Sequence, residues 1–459
     1  MKFLCTLVVL LTAGTVHGQQ PTERPNIIVI LADDAGYHEF SMQGSTTIPT
    51  PRIDSIAASG VKFSNGYVSG CVCSPTRAGL LTGRYQQRFG HEFNIPPAYS
   101  ETNGLPLSEA TIADAMKSAG YRTIALGKWH LGYAPKFHPL ERGFTDYYGF
   151  LQGARSYWPL AKPTRLNRLL HDREPVKPEE FDYMTDELGQ KACEYIAQNR
   201  DQPFFMYLAF NATHGPLHAT PADLAKTEGD KIAAMTIALD RAVGYVLDEL
   251  EKQNLVDNTL VVFINDNGGA TGHDNYPLRG HKGSTWEGGI RVPFAMQLPG
   301  VIPKGQVFEF PVIQLDLMAT SMALAGVEQA LGKPLDGVDL LPFVTGQNKG
   351  RPHQTLFWKN GDRWAVRDGD WKLVAGNRAT KSTPGQMELE LFDLSTDIGE
   401  QHNLAASHSV DVQRLQELYE AWKRDFPAPR WGGGARAKRA NNNAKSAPAK
   451  RARKPAATK

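Results

Sequence analysis

Apolar runs that stop abruptly at polar residues are the feature of this sequence that most constrains its fold. Residues 26–31 are continuously apolar after Asn26, which is typical of a strand buried on both faces of a parallel sheet. Similar runs recur at residues 121–126, 204–210 and 260–264. Helical patterns separate them, including one after Thr50 that stops at Gly60, one over residues 111–119, and one with an apolar face of Val243, Val246, Leu247 and Leu250. This alternation predicts an α/β fold with a large, doubly wound mixed sheet flanked by helices.

The pattern changes past about residue 345. Short alternating segments at residues 363–367 and 371–374 predict a small antiparallel sheet. Leu415, Leu418 and Trp422 share one face of a final helix. We therefore predict a large domain over residues 22–345 and a smaller C-terminal α+β domain over residues 346–430.

The start of the chain has the layout of a secretory signal peptide. Lys2 precedes an apolar run over residues 3–13, and small residues before position 18 suit cleavage there. The run is too short to span a membrane, and no other stretch is long enough. We predict a signal peptide over residues 1–18 and an exported protein, periplasmic or extracellular, with no membrane span. A buried first strand, or a lipid-anchored start at Cys5, remains the alternative.

The net charge of +2 conceals an acidic body and a basic tail. Residues 431–459 carry nine Lys and Arg and no acidic residue, whereas residues 19–430 hold 40 basic against 48 acidic residues. The tail has almost nothing to bury and is predicted to be disordered. It is either a solvated tail or an arm for polyanions. No nucleic-acid partner is predicted, and the Asn- and Lys-rich tail favours a bacterial origin.

Polar residues follow each predicted strand where it ends. They are Asp33, Asp34, Lys128, His130, His214, Asp266 and Asn267. An Asp-Asp or Asp-Asn pair alone is typical of a turn. Ligands of open α/β sheets, however, bind outside the carboxyl ends of the strands, where all these residues are predicted to lie. Three carboxylates and an amide suit Ca²⁺, with Mg²⁺ second, and do not suit zinc. Arg77, Lys128 and Lys282 would attract an anionic substrate, and the two histidines would transfer protons.

The four cysteines are Cys5, Cys71, Cys73 and Cys193, and removal of a signal peptide leaves an odd number. An odd cysteine in an exported protein indicates a thiol with another role. Cys71 and Cys73 lack the spacing of a metal or redox pair. Whether Cys71 and Cys193 form a disulfide stays open.

Residues 73–84 carry the motif that is most specific for the function of the chain. The segment Cys-Ser-Pro-Thr-Arg, from Cys73 to Arg77, followed by Leu-Thr-Gly-Arg at residues 81–84, resembles the signature of the type I sulfatases of the alkaline phosphatase superfamily. Residues 282–293 look like the family's second hallmark, and the resemblance extends from about residue 24 to residue 394. It implies the alkaline phosphatase-like fold.

The resemblance also implies a mechanism. Cys73 matches the cysteine that a formylglycine-generating or anaerobic maturation enzyme oxidises to formylglycine (3-oxoalanine), whose hydrate attacks sulfur. The residues that match the calcium ligands are Asp33, Asp34, Asp266, Asn267 and modified residue 73. Arg77 and Lys128 match groups that hold the diol. Lys282 and His214 match groups at the sulfate and leaving oxygen, with His214 the proton donor. His130 matches the base that regenerates the aldehyde.

The catalytic residues do not choose among sulfate esters, so the substrate is predicted from loops. Candidate substrate-binding residues are His91, Asp274, Arg279, His281, Tyr157 and Trp158. An aromatic pair beside arginines suits a sulfated sugar. The alternative for residues 153–182 is a surface loop anchored by buried aromatic side chains. The favoured substrate is a sulfated polysaccharide or glycosaminoglycan.

Two other functions stay open on the sequence alone. One is a phosphate or phosphonate ester hydrolase of the same superfamily. A phosphate monoester carries more negative charge than a sulfate monoester, so the set of cations around the oxyanion would discriminate between the two. The other is an inactive glycan-binding relative, which complete retention of the catalytic set disfavours. The sequence leaves the oligomeric state open.

Overall fold

The computed structural model describes residues 24–327, 332–376 and 388–432. The predicted signal peptide and the tail beyond residue 432 lie outside these residues. Within them, no helix combines the length and the apolar content needed to cross a membrane. The strands are β1 (Asn26–Ala32), β2 (Val61–Phe63), β3 (Gly66–Tyr67), β4 (Arg122–Lys128), β5 (Asp146–Phe150), β6 (Leu170–His171), β7 (Glu174–Pro175), β8 (Phe204–Ala209), β9 (Thr259–Asn265), β10 (Phe294–Gln297), β11 (Gln306–Phe308), β12 (Val312–Ile313), β13 (Thr355–Asn360), β14 (Arg363–Asp368), β15 (Trp371–Ala375) and β16 (Leu389–Asp393). The helices are α1 (Pro51–Ser59), α2 (Cys73–Thr82), α3 (Ile112–Ser118), α4 (Met184–Gln198), α5 (Pro221–Lys226), α6 (Lys231–Lys252), α7 (Glu287–Ile290), α8 (Asp316–Ala325), α9 (Leu341–Val344) and α10 (Ser409–Lys423).

The large sheet is mixed, as predicted, and its centre is parallel. Its ten strands run in the order β11-β2-β10-β9-β1-β8-β4-β5-β6-β7. Strand β1 pairs in parallel with β8 and β9, and β4 pairs in parallel with β8 and β5. Strand β10 is antiparallel to β9. The four predicted apolar runs are thus the adjacent central strands β9, β1, β8 and β4.

Both faces of the central strands are buried, which explains why their sequences are apolar without alternation. In β1, Ile27 and Val29 face one core cluster, and Ile28 and Ile30 face the other. Helices α2, α3 and α8 pack on the first face, and α1, α4 and α6 pack on the second. The predicted fold class is therefore confirmed.

The C-terminal sheet is antiparallel, in the order β13-β14-β15-β16, and carries α10 on one face. The Trp364 ring stacks on the Tyr419 ring with centroids 4.1 Å apart. The other face packs against the large domain, where the Trp358 indole Nε1 donates to the carbonyl of Val68 at 2.7 Å. The small predicted sheet and final helix are thus present, and the domain boundary at residues 345–346 stays a prediction.

Candidate active site

The carboxyl ends of β9, β1, β8 and β4 bring most of the predicted site residues together. Backbone hydrogen bonds hold these ends in place: the Asp33 N–H donates to Ala212 at 2.8 Å, and the Asp266 N–H donates to Ala32 at 3.0 Å. Asp33 follows β1, Asp266 follows β9 and Lys128 ends β4. The sequence-based expectation that these side chains share one edge of the sheet is met in the structure.

Cys73 is the first residue of α2 and lies inside this group. Its Sγ is 3.6 Å from Asp33 Oδ1 and 3.9 Å from Asp34 Oδ1. Lys282 Nζ donates to Asp34 Oδ2 at 2.6 Å and lies 3.3 Å from the Cys73 sulfur. Burial, with the carboxylate of Asp266, raises the pKa of the Cys73 thiol. The unmodified side chain is therefore a protonated thiol and a weak nucleophile.

Two buried cations neutralise the carboxylates. Arg77 donates from Nη2 and Nε to Asp266 Oδ2 at 2.9 and 3.1 Å, and from Nη1 to the Lys128 carbonyl at 2.9 Å. The Lys128 ammonium donates to Asp33. All these side chains are fully buried, so each charge depends on its partners rather than on water.

The two most deeply buried carboxyl groups of this site differ in acidity. Burial opposes ionisation of Asp33, yet Lys128, His214 and Arg77 lower its pKa. Burial and the neighbouring Asp33 charge raise the pKa of Asp266 to about 7, against the effect of Arg77. Three carboxylates in one buried group repel each other, and a cation among them would relieve that repulsion.

His130 is buried and held in an unusual backbone conformation, with φ of 57°. Burial and the cations of Lys128 and Arg77 lower its pKa well below the ordinary value, so the imidazole is neutral. Among the described residues, its Nδ1 has no hydrogen-bond partner. The ring packs on Gly153, where a Cβ atom would lie 2.4 Å from His130 Cε1. A neutral ring with a free nitrogen can accept a proton.

His214 lies beside Asp34. Its Nε2 is 3.5 Å from Asp34 Oδ2, and its Nδ1 is 2.5 Å from the Gly215 carbonyl. Burial and the Lys128 charge lower its pKa. A proton on Nδ1 satisfies the carbonyl and leaves Nε2 as the nitrogen that faces the site, so donation from Nε2 requires the doubly protonated ring.

The donor atoms fit a hard cation. Ligand atoms of Asp33, Asp34, Cys73 and His214 all lie within 4.8 Å of one another. The Asn267 amide nitrogen donates to Asp34 at 2.8 Å, and its buried Oδ1 has no partner among the described residues. An orphaned amide oxygen beside clustered carboxylates is the donor set that Ca²⁺ or Mg²⁺ takes.

The side chains of two predicted substrate-binding residues, His91 and Tyr157, are buried, and their role in substrate binding stays a prediction. His91 bonds to Ser74 Oγ at 2.7 Å, and its ring meets the Trp431 ring edge-on at 4.7 Å. The Tyr157 hydroxyl donates to the carbonyls of Asn211 and His214. Tyr157 therefore anchors its loop, as the alternative interpretation of residues 153–182 expects.

The remaining candidates are divided between structural contacts and the surface. Arg279 stacks over Trp286 at 4.0 Å and pairs through Nη1 with Glu390 at 3.2 Å, so one face and one edge of its guanidinium are engaged. Trp158 is half-buried against Tyr183. Asp274 and His281 are exposed in the loop before Lys282, and their role in substrate binding stays a prediction.

Sequence reasoning missed the residues that support the site from behind. Asn94 Oδ1 accepts the Ser74 backbone N–H at 2.9 Å and so steadies the first turn of α2. Glu287 and Lys372 form a buried ion pair at 2.7 Å near the Lys282 loop. No spacing rule links residues so distant in sequence. The described cysteines Cys71, Cys73 and Cys193 are all free thiols, which leaves no Cys71–Cys193 disulfide in this structure.

Comparison with protein families gives one match, to the model described as Sulfatase, over residues 25–327. The matched span runs from β1 to the end of α8 and contains every catalytic and metal-site residue predicted from the sequence.

Individual proteins match over most of the chain. Human N-acetylgalactosamine-6-sulfatase is 33% identical over 372 residues, covering 76% of this chain and 70% of that protein. Human arylsulfatase A is 32% identical over 465 residues, covering 90% of each. The crystal structure of Ps i-CgsB in complex with k-i-k-neocarrahexaose superposes with a TM-score of 0.84 at 35% identity, covering 93% of this chain and 98% of that one.

Proposed function

This chain belongs to the sulfatase family, as a type I sulfatase of the alkaline phosphatase superfamily, and from that membership we propose that it removes sulfate from sulfated glycans. It is a sulfuric ester hydrolase. The observation that carries the proposal is the position of Lys282, whose ammonium lies 2.6 Å from Asp34 and 3.3 Å from the Cys73 sulfur. A cation there meets a sulfate group presented to residue 73.

Residue 73 is proposed to act as formylglycine. Conversion of the thiol-bearing carbon to an aldehyde is an oxidation that a separate maturation enzyme must carry out. The hydrate of the aldehyde supplies a hydroxyl nucleophile and can later expel sulfate, which a plain alcohol cannot do. The raised pKa of the Cys73 thiol supports this proposal, because the unmodified side chain is poorly suited to attack.

A calcium ion is proposed at the group of buried oxygen atoms. Asp33, Asp34, Asp266 and Asn267 would hold it, together with modified residue 73. Bound there, it would supply Lewis-acid chemistry, polarising sulfate oxygens and lowering the pKa of a bound hydroxyl. The orphaned Asn267 Oδ1 supports this assignment, and Mg²⁺ is the second choice.

The remaining side chains have roles that follow from charge and position. Arg77 and Lys128 orient the oxygens of residue 73, because both are buried cations fixed against Asp266 and Asp33. Lys282 binds the sulfate. His130, which is neutral and has a free nitrogen, removes a proton from residue 73. His214 donates a proton to the leaving oxygen, and a bound sulfate ester favours the doubly protonated ring that this step needs.

Sulfated carbohydrate is the proposed substrate class. Among the similar proteins, one is named N-acetylgalactosamine-6-sulfatase and another was crystallised with a neocarrahexaose. The position of the ester, and exo or endo action, are not implied by these names. A phosphate or phosphonate esterase is not favoured, since N-acetylgalactosamine-6-sulfatase, steryl-sulfatase and arylsulfatase A all match this chain at 30% identity or more.

We also propose the predicted organisation of the chain. A signal peptide over residues 1–18 would direct export to the periplasm or outside the cell, in keeping with a bacterial origin. Residues 22–345 would form the catalytic domain, residues 346–430 the small domain, and residues 431–459 a basic tail.

The test is the parallel measurement of inorganic sulfate and phosphate by ion chromatography. The full chain is co-expressed with a maturation enzyme, and its substrates are an aryl sulfate, an aryl phosphate, chondroitin sulfate, heparin and sulfated algal oligosaccharides. We expect sulfate release from at least one glycan and none from Cys73→Ala. Phosphate release without sulfate release, or no turnover by chain shown by mass spectrometry to be modified at residue 73, would overturn the proposal.

A further inference from the structure

The loop that carries Lys282 is closed on itself and against the large domain. The Lys282 N–H donates to Gly269 at 2.9 Å, and the Gly283 N–H donates to Cys71 at 2.7 Å. The Gly288 N–H donates to Arg279 at 2.7 Å, which ties the end of the loop to its start. These bonds fix the path of the backbone, and the loop then enters α7 at Glu287.

Glu287 is the end of this loop and has a fully buried carboxylate. Its Oε1 accepts a bond from the Lys372 ammonium of β15 at 2.7 Å. Its Oε2 accepts the Tyr67 hydroxyl at 2.6 Å and lies 3.3 Å from Arg291 Nη1. Although burial opposes ionisation, Lys372 and Arg291 lower the pKa of Glu287 to about 2, so it is charged.

Glu400 holds the same residue from the other side. Its Oε2 accepts the backbone N–H of Glu287 at 2.7 Å, and its Oε1 lies 2.8 Å from Lys372 Nζ. Glu400 is fully buried and has a left-handed backbone conformation with φ of 52°, which residues other than glycine adopt rarely. Lys372 and Glu400 both belong to the C-terminal region and both bind one residue of the large domain.

Other contacts from the C-terminal region reach the same loop. Arg363 Nη1 donates to the Gly283 carbonyl at 2.6 Å. Trp286 Nε1 donates to Glu390 Oε2 at 3.1 Å, and Arg279 donates to the Glu400 carbonyl at 2.8 Å. The loop is therefore bound along its length by residues that follow position 360.

A buried ion cluster of this kind is poorly explained by stability alone. Apolar residues of the same volume often stabilise as well as buried ion pairs do, whereas charged groups with fixed partners define one geometry. Here the defined geometry is that of α7 and of the loop leading to it, in which Lys282 lies five residues before Glu287.

We propose that Lys372 and Glu400 are positioning residues for sulfate-ester hydrolysis, which hold Lys282 in place through Glu287. The inference rests on the proposed function, because it gives Lys282 the sulfate-binding role. It makes the C-terminal sheet part of the apparatus that sets the geometry of the reaction, rather than a separate appendage.

A double-mutant cycle tests this inference in the full chain carrying formylglycine, with an aryl sulfate as substrate. Lys372→Met is expected to lower kcat/KM by about 10- to 100-fold, as loss of residues that orient catalytic groups typically does. In a Lys282→Ala background the same substitution is expected to change kcat/KM by no more than about twofold, since its effect passes through Lys282. Equal losses in both backgrounds would overturn the proposal.

A matched control separates positioning from general stability. Arg241 is also a cation between two carboxylates, with Asp223 at 2.7 Å and Asp186 at 2.9 Å, but its partners lie outside the Lys282 loop. Arg241→Met is expected to lower the melting temperature and leave kcat/KM within about twofold of the unsubstituted protein. A drop in kcat/KM equal to that of Lys372→Met would contradict the inference.

Hydrogen exchange provides a readout that needs no activity. Peptides covering residues 279–288 are expected to exchange faster in Lys372→Met and Glu400→Ala than in Arg241→Met. Glu400→Gln keeps an acceptor for the Glu287 N–H and is expected to protect the loop better than Glu400→Ala. If Lys372→Met fails to fold, the comparison of Glu400→Ala with Glu400→Gln tests the inference. Unchanged exchange of residues 279–288 in Glu400→Ala would overturn it. No sulfate release by the unsubstituted, modified chain would instead sink the proposed function, and the exchange result would still stand.

Discussion

The guanidinium of Arg77 donates two hydrogen bonds to one oxygen of Asp266, at 2.9 and 3.1 Å, with both side chains fully buried. Such a bond pair needs the planar fork of arginine, which a lysine ammonium cannot reproduce. The pair fixes Arg77 so that its third bond, to the Lys128 carbonyl, aligns two cations beside Cys73.

Replacement of Arg77 by methionine is expected to damage both stability and activity. It leaves Asp266 buried without its cation, which costs about 3 kcal/mol in the free energy of unfolding, the low end for a broken buried pair. The low end applies because the pKa of Asp266 is already about 7 and the carboxyl can take up a proton. Arg77→Lys is expected to regain stability but not kcat, measured by denaturant unfolding and sulfate release.

Cys73→Ala is expected to abolish sulfate release without unfolding the chain. The substitution removes the site of the aldehyde, while the contacts of α2 remain, so the free energy of unfolding should change by about 1 kcal/mol. Mass spectrometry of the peptide that contains residue 73 checks modification in the parent protein. Sulfate release that persists in the alanine variant would contradict the proposed nucleophile.

Calcium is expected to raise the melting temperature, and chelation to lower it. A ligand that binds only the folded state stabilises by about 2.7 kcal/mol at 100 times its Kd. Asp34→Asn should abolish this response. Asp240→Asn is the control, because Asp240 is buried but bonds to the N–H groups of Arg52 and Ile53 away from the site. A response that survives in Asp34→Asn would place the ion elsewhere.

The free energy of unfolding is expected to fall as pH rises, because the ion pair of His353 and Asp316 is lost when the histidine gives up its proton. His353 Nε2 lies 2.7 Å from Asp316 Oδ1, and although burial opposes it, this carboxylate raises the histidine pKa above 6.5. The stabilisation is complete below 6.5, the unfolded value, and is lost as pH rises through the higher folded pKa. Denaturant unfolding across this range should show a smaller decline in His353→Asn, and an equal decline would refute the assignment.

Gly153→Ala is expected to reduce kcat by displacing His130. A Cβ atom at residue 153 would lie 2.4 Å from the imidazole Cε1, so the ring must shift. A displacement of about 1 Å at a reacting group can cost roughly 100-fold. Gly350→Ala, which would meet only the Asn348 side chain, serves as the control. Equal kcat in the two variants would show that the ring position is unimportant.

The sequence predicted the strands and their polar ends because burial on both faces leaves a strong pattern. Ile27 and Ile28 pack in the core clusters on opposite faces of the sheet, so the run does not alternate between apolar and polar residues. Asp33 marks where the run ends. The burial of two substrate candidates could not be predicted, because a loop sequence has no periodic pattern that indicates how deeply a side chain lies. His91 and Tyr157 lie in loops, and only the packing of Trp431 and Asn211 around them reveals their burial. The pair of Glu287 and Lys372 joins distant segments, and no local period predicts it.

The contacts of Lys372 and Glu400 with Glu287 can form only late in synthesis of the chain, because both residues lie near its C-terminal end. A ribosome makes Lys282 well before it makes Lys372 and Glu400, so the emerging chain carries this lysine on a loop that still lacks its contacts with the C-terminal region. Cys73 is almost fully buried in the folded protein, so the proposed modification would have to precede the packing of α2. Under the proposed function, the contacts that position Lys282 therefore form last, after the proposed modification, and a chain that terminates before Lys372 lacks them.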